Sequence, residues 1–146
     1  MIYVRDLLRG KSPEVWSVGP RDLVYRALQL MAEKNIGGLP VVEPDGKVVG
    51  FFSERDYARK VILMGKSSQA TAVGELMSHP VYCVSPGDTI ETCMELMTDR
   101  HIRHLVVCED DKMVGVVSIG DVLKAVIDMQ DAHIKDLENF IVGARS

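Results

Sequence analysis

The sequence predicts an α/β fold built from two β-α-β-β-α repeats related by pseudo-two-fold symmetry, with a long C-terminal helix. Three observations lead there. A Gly-x-x-Ser-x-x-Asp segment occurs twice, as Gly50, Ser53 and Asp56 and again as Gly115, Ser118 and Asp121. Upstream, Val18, Pro20, Met31, Ile36, Leu39 and Val41 return at one constant offset as Val84, Pro86, Met97, Ile102, Leu105 and Val107. After a one-residue deletion near Gly46 the new offset also holds, pairing Lys47 with Lys112, Val49 with Val114 and Val61 with Val126. Such self-similarity sets the architecture first, because a single unit does not bury its apolar face alone. It divides the chain into repeats at 10–66 and 74–130 and a helical tail at 131–146.

Within each repeat the periodicity changes in the same order. Opening strands are predicted at 15–18 and 81–84. Val24, Ala27, Leu28 and Met31 then fall at i, i+3, i+4, i+7, one stripe of an amphipathic helix, and Ile90, Cys93, Met94 and Met97 keep the same phase. Asp22 and Asp88, each shortly after a proline, are expected at the positive end of these helices. Apolar runs at 39–42 and 105–108, polar turns at 44–46 and 110–111, and β-rich runs at 48–52 and 113–117 read as two hairpins. A helix follows each serine, over 54–64 and from Gly120 onward.

A weaker echo, Val4-x-Asp6-Leu7-Leu8 against Val73-x-Glu75-Leu76-Met77, places a short lead-in helix before each repeat, with 65–71 as the linker. From Asp121 to Val142 there is neither proline nor glycine, and Leu123, Ile127, Ile134, Leu137 and Ile141 are spaced by three, four and seven. One long helix is expected. Its seam has two candidate partners, the first lead-in helix and another subunit, and packing within its own chain is the expectation.

With 47% apolar and 26% charged residues, the chain has the composition of a globular protein. One repeat is too small to bury a sufficient core, so the halves should fold against each other. A net charge of −4 argues against a nucleic-acid partner, which wants a clustered basic face. The adjacent pair Arg59–Lys60 reads as a solvated helix face. Cys83, Cys93 and Cys108 are scattered without Cys-x-x-Cys spacing, which suits thiols in a reduced compartment acting as small core hydrophobes. No apolar stretch has the length of a signal peptide or a membrane span, so a cytoplasmic protein without membrane contact is expected.

The chemistry lies where a strand ends and a helix begins. Ser53 and Ser118 fall at predicted N-caps with Asp56 and Asp121 three residues on, the spacing of a capping box with Asp in place of Glu. That accounts for a helix start without any ligand. The same geometry supports a second reading. A carboxylate on the first turn can accept both hydroxyls of a ribose, while the serine and the helix amides meet phosphate oxygens. Apolar strand edges would then sandwich a flat base, and the site suits a nucleoside phosphate.

The order Leu39-Pro40-Val41-Val42 followed by Gly50-x-x-Ser53-x-x-Asp56, repeated in the second half, resembles a tandem pair of cystathionine β-synthase (CBS) domains, a Bateman module. The stretches FSERDYARKV at 52–61, GELM at 74–77 and VSIGD at 117–121 are similar to small stand-alone CBS-pair proteins. The resemblance implies a non-catalytic sensor that binds AMP, ADP, ATP, S-adenosylmethionine or NAD in two clefts, forms a homodimer and regulates a protein partner. No metal is expected, since the histidines lack partners at metal-ligand spacing.

Residue by residue, it assigns the riboses to Asp56 and Asp121 and the phosphates to Ser53 and Ser118. The strand starts, Ile36, Gly37, Leu39 and Pro40 in one repeat and Ile102, Arg103, His104 and Leu105 in the other, would line the bases. Arg103 and His104 supply phosphate charge, with Arg55 adding to it, yet their counterparts are Gly37, Gly38 and Gly120. Val106 stands where the family usually has proline, so the two clefts are expected to be unequal. The alternative is a structural interaction module with weak or empty clefts. An enzyme ranks behind both, since the chain has neither a Gly-x-x-x-x-Gly-Lys loop nor a His-Glu-x-x-His motif. His79 and His133 read as surface residues, and His101 with His104 lacks a third metal ligand.

Overall fold

In the computed structural model the described residues are 1–145, with side chains as far as Gly143. The chain runs α1 (Val4–Leu8), α2 (Val24–Lys34), β1 (Gly38–Val42), β2 (Val48–Ser53), α3 (Glu54–Asp56), α4 (Val73–Leu76), β3 (Cys83–Val84), α5 (Ile90–Arg100), β4 (His104–Glu109), β5 (Lys112–Ser118) and α6 (Ile119–Arg145). The repeated stripes do what their spacing predicts. Val24, Ala27 and Met31 of α2 are buried, as are Ile90, Cys93 and Met97 of α5. Each helix stops at a left-handed residue, Asn35 or His101, both at φ 54°. The amides of Ile36 and Ile102 then return to the carbonyls of Met31 and Met97 at 3.0 and 3.1 Å, closing the last turn.

The hairpins follow in antiparallel register. Leu39 stands opposite Phe52 and Val41 opposite Gly50, while Leu105 faces Val117 and Val107 faces Gly115. The shorter second turn is made by Asp110 and Asp111, at φ 52° and 62°, a conformation that aspartate tolerates and two-residue hairpin turns require. The sheets are β1-β2 and β3-β4-β5.

Two local expectations need correction. The opening strands largely disappear: residue 18 makes a single parallel bridge to Val41, and only Cys83–Val84 of 81–84 joins a ladder. The preceding residues, Val15, Trp16, Val81 and Tyr82, leave the ladder to line surface clefts instead. Asp22 and Asp88 stand two residues before α2 and α5, at their N-terminal ends. They accept the amides of Gly19 and Ser85, both at 2.8 Å, and so close the turns before α2 and α5. The first two amides of α2 are taken by linker carbonyls, Val24 to Thr71 at 2.9 Å and Tyr25 to Ser68 at 2.8 Å. Finally, the helix expected over 54–64 is α3 followed by wider π-helical turns at Tyr57–Ile62.

The lead-in helices cross over. Val4 of α1 lies in the core of the second repeat with Val84, Cys93, Leu105, Val107 and Val117. Val73 and Leu76 of α4 lie in the core of the first repeat with Val24, Leu39, Val41 and Phe52. Backbone bonds fix the exchange, from Val4 to Asp88 at 2.8 Å and from Val73 to Asp22 at 2.8 Å. The two repeat glycines serve this contact. A Cβ on Gly50 would collide with the Met77 side chain and stand 3.1 Å from the Ser78 carbonyl; one on Gly115 would meet Leu8 at 2.7 Å.

The tail departs from expectation as well. Val122 is buried, but Leu123, Ile127, Ile134, Leu137 and Ile141 are each about half exposed, at 53%, 54%, 53%, 50% and 51%. After its first turns α6 leaves the body of the protein, and its seam does not pack within its own chain.

Candidate functional site

Ser53 starts α3 at extended backbone geometry, φ −121° and ψ 166°. Its hydroxyl accepts the Asp56 amide at 3.2 Å, and Oδ2 of Asp56 accepts the Ser53 amide at 3.0 Å and hydroxyl at 3.1 Å. The capping box is therefore formed, and it uses one carboxylate oxygen. Oδ1 points the other way, accepting the Ser78 hydroxyl at 2.8 Å with Lys60 Nζ at 3.2 Å. Asp56 is 8% exposed, a nearly buried charge held by neutral donors and one cation. The cap pre-orients the carboxylate and leaves Oδ1 to Ser78 and Lys60, both of which line one cleft.

That cleft has a volume of about 430 Å³, within the range of small-molecule sites. From the first repeat it takes Gly37, Phe51, Ser53, Arg55, Asp56 and the pair Arg59–Lys60; from the second, Tyr82, Ile102, Arg103, His104 and Val106. Arg55, Arg59, Lys60, Arg100 and Arg103 outnumber the acids Glu54 and Asp56 on its walls. A locally basic cleft in a chain of net charge −4 is the electrostatic signature of an anion site. Arg55 spans the seam, donating from its guanidinium to the His101 carbonyl at 3.0 Å.

His104 stands between the two halves. Its ring stacks on Phe51 at 4.9 Å and 26°. Gly38 makes room for this, because a Cβ there would strike the Phe51 ring. Burial pushes the His104 pKa below its ordinary value and the Lys11 charge adds to that, against partial opposition from Asp121 and Asp56. His104 is thus a neutral hydrogen-bonding group at neutral pH rather than a fixed cation.

The second copy of the motif is built alike and occupied differently. Oδ2 of Asp121 accepts the Ser118 amide at 2.8 Å, and the Ser118 hydroxyl accepts the Asp121 amide at 3.1 Å. Lys11 donates to the same Oδ2 at 2.7 Å and to the Val116 carbonyl at 2.8 Å. Burial alone would raise the Asp121 pKa, but the hydrogen bonds from Lys11 and Ser118 outweigh it and hold it below the usual carboxylate value. A smaller depression of about 140 Å³ lies beside Lys11, between Trp16 and Gly115.

Of the residues singled out from the sequence, the structure gathers Gly37, Ser53, Arg55, Asp56, Ile102, Arg103 and His104 around one cleft. Leu39 and Leu105 are fully buried core side chains, Pro40 is buried, and Ile36 packs against the first core. Ser118 and Asp121 sit at the other motif, under Lys11. Ser78, Tyr82 and Lys60 are cleft residues that sequence reasoning missed. The solvated reading holds for Arg59, which is exposed, and is corrected for Lys60: it lies four residues beyond Asp56 and pairs with it, and that spacing was the available signal. Lys11 had no comparable signal, since it reaches Asp121 only through the crossed-over α1.

With this geometry in place, comparison with known proteins fixes the class. The CBS domain pattern matches residues 1–62 and 73–128. The chain belongs to the CBS domain family, as a tandem CBS pair. It is 40% identical over 142 residues to the mitochondrial CBS domain-containing protein CBSX3 of Arabidopsis thaliana, covering 92% of this chain and 68% of that protein. It is 33% identical to the CBS domain-containing protein YhcV of Bacillus subtilis over 83% of each chain. Among solved structures, a CBS-domain protein of Burkholderia ambifaria superposes with a TM-score of 0.82 at 44% identity, covering 86% of this chain and 94% of the other. A CBS pair solved with 5′-methylthioadenosine and S-adenosyl-L-methionine shares the fold at 22% identity and a TM-score of 0.78, covering 88% and 98%.

Proposed function

We propose that the protein is a non-catalytic regulatory module that binds an adenine nucleotide, with the Asp56 cleft as the stronger site. The observation that carries this reading is a nearly buried carboxylate, fixed by its own helix cap, inside a cleft lined by five cations. Ribose hydroxyls would donate to Oδ1 of Asp56, replacing Ser78 and Lys60. Phosphate oxygens would meet Arg103, Arg55 and the released Lys60, charge-assisted contacts of the strong kind. Tyr82, Ile102 and Val106 offer the apolar surface for a base. At the second motif Lys11 already holds the carboxylate, so a ligand there must first displace an internal cation. AMP, ADP, ATP and NAD are the compounds to test, beside the adenosyl compounds found with the distant CBS pair.

The test is calorimetric titration of these compounds against the wild-type protein and its Asp56→Asn and Asp121→Asn variants. Asparagine keeps an acceptor for the cap but removes the charge. Asp56→Asn should weaken binding at least about tenfold, the worth of one charge-assisted hydrogen bond, and Asp121→Asn should change it less. Unaltered affinity in Asp56→Asn sinks the ribose role. No binding, together with no thermal stabilisation by any of the compounds, favours the alternative of an interaction module with empty clefts.

We further propose a homodimer joined through α6. Ile127, Ile134 and Ile141 alternate with Leu123, Gln130 and Leu137 at spacings of three and four, giving isoleucine at a and, Gln130 apart, leucine at d of a heptad. That choice favours two parallel strands. In this register His133 lies at a g position and faces Glu138 at e of the partner helix. A regulated protein partner would then read ligand state from the dimer. The cytoplasm is the proposed compartment; the mitochondrial relative supplies the competing one, and cell fractionation decides between them.

A further inference from the structure

We propose that Cys83 and Cys108 form a thiol pair that closes to a disulfide by exchange with a small disulfide, tying one wall of the cleft to the sheet. The two residues are distant in sequence, but β3 and β4 are parallel neighbours with Cys83 paired to Val106. Cys108, two residues further along β4, therefore shares a sheet face with Cys83. Their sulfurs are 3.7 Å apart, with the Cys108 thiol donating to Cys83. Cys83 is exposed and Cys108 partly exposed, so a reagent reaches the pair from solvent, whereas Cys93 is sealed in the second core. Two thiols in contact, one open to solvent on the edge strand and the other partly exposed on the strand beside it, make a site for reversible oxidation rather than core filling.

The position gives the bond a structural consequence. Val106, which the register places opposite Cys83, lines the cleft, and so do Val81 and Tyr82 immediately before Cys83. β3 is two residues long and is held to β4 by few bonds, among them Val106 amide to Tyr82 carbonyl at 3.2 Å. A covalent link from Cys83 to Cys108 fixes this wall at its weakest edge.

The chemistry balances in two exchange steps. The Cys83 thiolate attacks one sulfur of a low-molecular-weight disulfide, forming a mixed disulfide and expelling one small thiolate. The Cys108 sulfur then attacks the Cys83 sulfur and expels the second. The protein loses two protons and two electrons, and the small disulfide becomes two thiols. In the dithiol state burial, with the hydrogen bond to Cys83 and the charge of Cys83, pushes the Cys108 pKa up to about 11. Capping Cys83 as a mixed disulfide removes the last two of these causes, which eases the second step, and closure should quicken as pH rises.

The experiment uses the full chain and oxidised glutathione, followed by alkylation under denaturing conditions and peptide mass analysis. Closure is expected to remove two of the three alkylatable thiols, leave no glutathione attached, and yield a linked Cys83–Cys108 peptide. The C108S variant, altered at a partly exposed residue, should stop at glutathione on Cys83. Wild-type protein that stops at the same mixed disulfide, with Cys108 still alkylated, overturns the proposal. Amide exchange at Val106 should slow at least about threefold on oxidation; an unchanged rate overturns the tied wall. None of these readouts depends on nucleotide binding, so failure of that reading is distinguishable from failure of this one.

Discussion

Asp56 and Asp121 show how one residue serves the fold and a candidate ligand at once. In each, one oxygen completes the cap on its serine, a bond that stabilises the helix start whether or not anything binds. The difference lies in the neighbours, Ser78 and Lys60 on Oδ1 of Asp56, and Lys11 on the same Oδ2 that caps in Asp121. His104 carries the pH prediction at this scale. Its pKa is lowered on folding, so the unfolded chain binds the proton more readily. Stability attached to His104 is complete above its unfolded pKa near 6.5 and is lost as pH falls through the lower folded value. Urea denaturation from about pH 8 to about pH 5 should show wild-type stability falling relative to His104→Gln. A constant difference would remove the buried neutral imidazole from the account. The sequence marked His104 as unpaired by its repeat, since Gly38 stands opposite. That Gly38 makes room for Phe51 beneath the imidazole was not legible, because the ring crosses from the neighbouring strand.

Elements translate the repeat into a shared structure through exchange of α1 and α4. Each is too short to hold itself together and is helical because it delivers apolar side chains into a core already built by the other strands. Leu76 is 6% exposed in the first core and Val4 fully buried in the second. Leu76→Ala should cost about 2–4 kcal/mol in chemical denaturation by opening the first core, although the residue belongs to the second repeat in sequence. Val4→Ala should likewise loosen the second repeat, read as faster amide exchange in β4 and β5 than in β1 and β2. Local loosening confined to the repeat nearer in sequence would contradict the crossover. The helical stripes and hairpins were legible because side-chain periodicity is a property of the local chain. The opening strands were not, because whether 15–18 and 81–84 join a ladder depends on space that the clefts claim.

At the scale of the whole molecule, duplication provides two motifs and exchange makes each depend on the other half. The Asp56 cleft draws Arg103, His104 and Val106 from the second repeat, while Asp121 is covered by a lysine that follows α1. The exposed seam of α6 adds the dimer prediction. Ile134→Asp places a charge at a central a position and should convert a homodimer to monomer in sedimentation or light scattering, leaving the circular dichroism of the body unchanged. A wild-type monomer at high concentration would set the coiled coil aside.

Repeat number, the helix phases and both capping motifs were determined by the sequence alone, since each rests on residues a few positions apart with fixed local geometry. Tertiary structure alone decided the crossover of the lead-in helices, the placing of Lys11 on Asp121, the meeting of Cys83 with Cys108 and the exposure of the α6 seam. Each of these joins residues whose separation along the chain says nothing about distance, so only the packing of the two halves could place them.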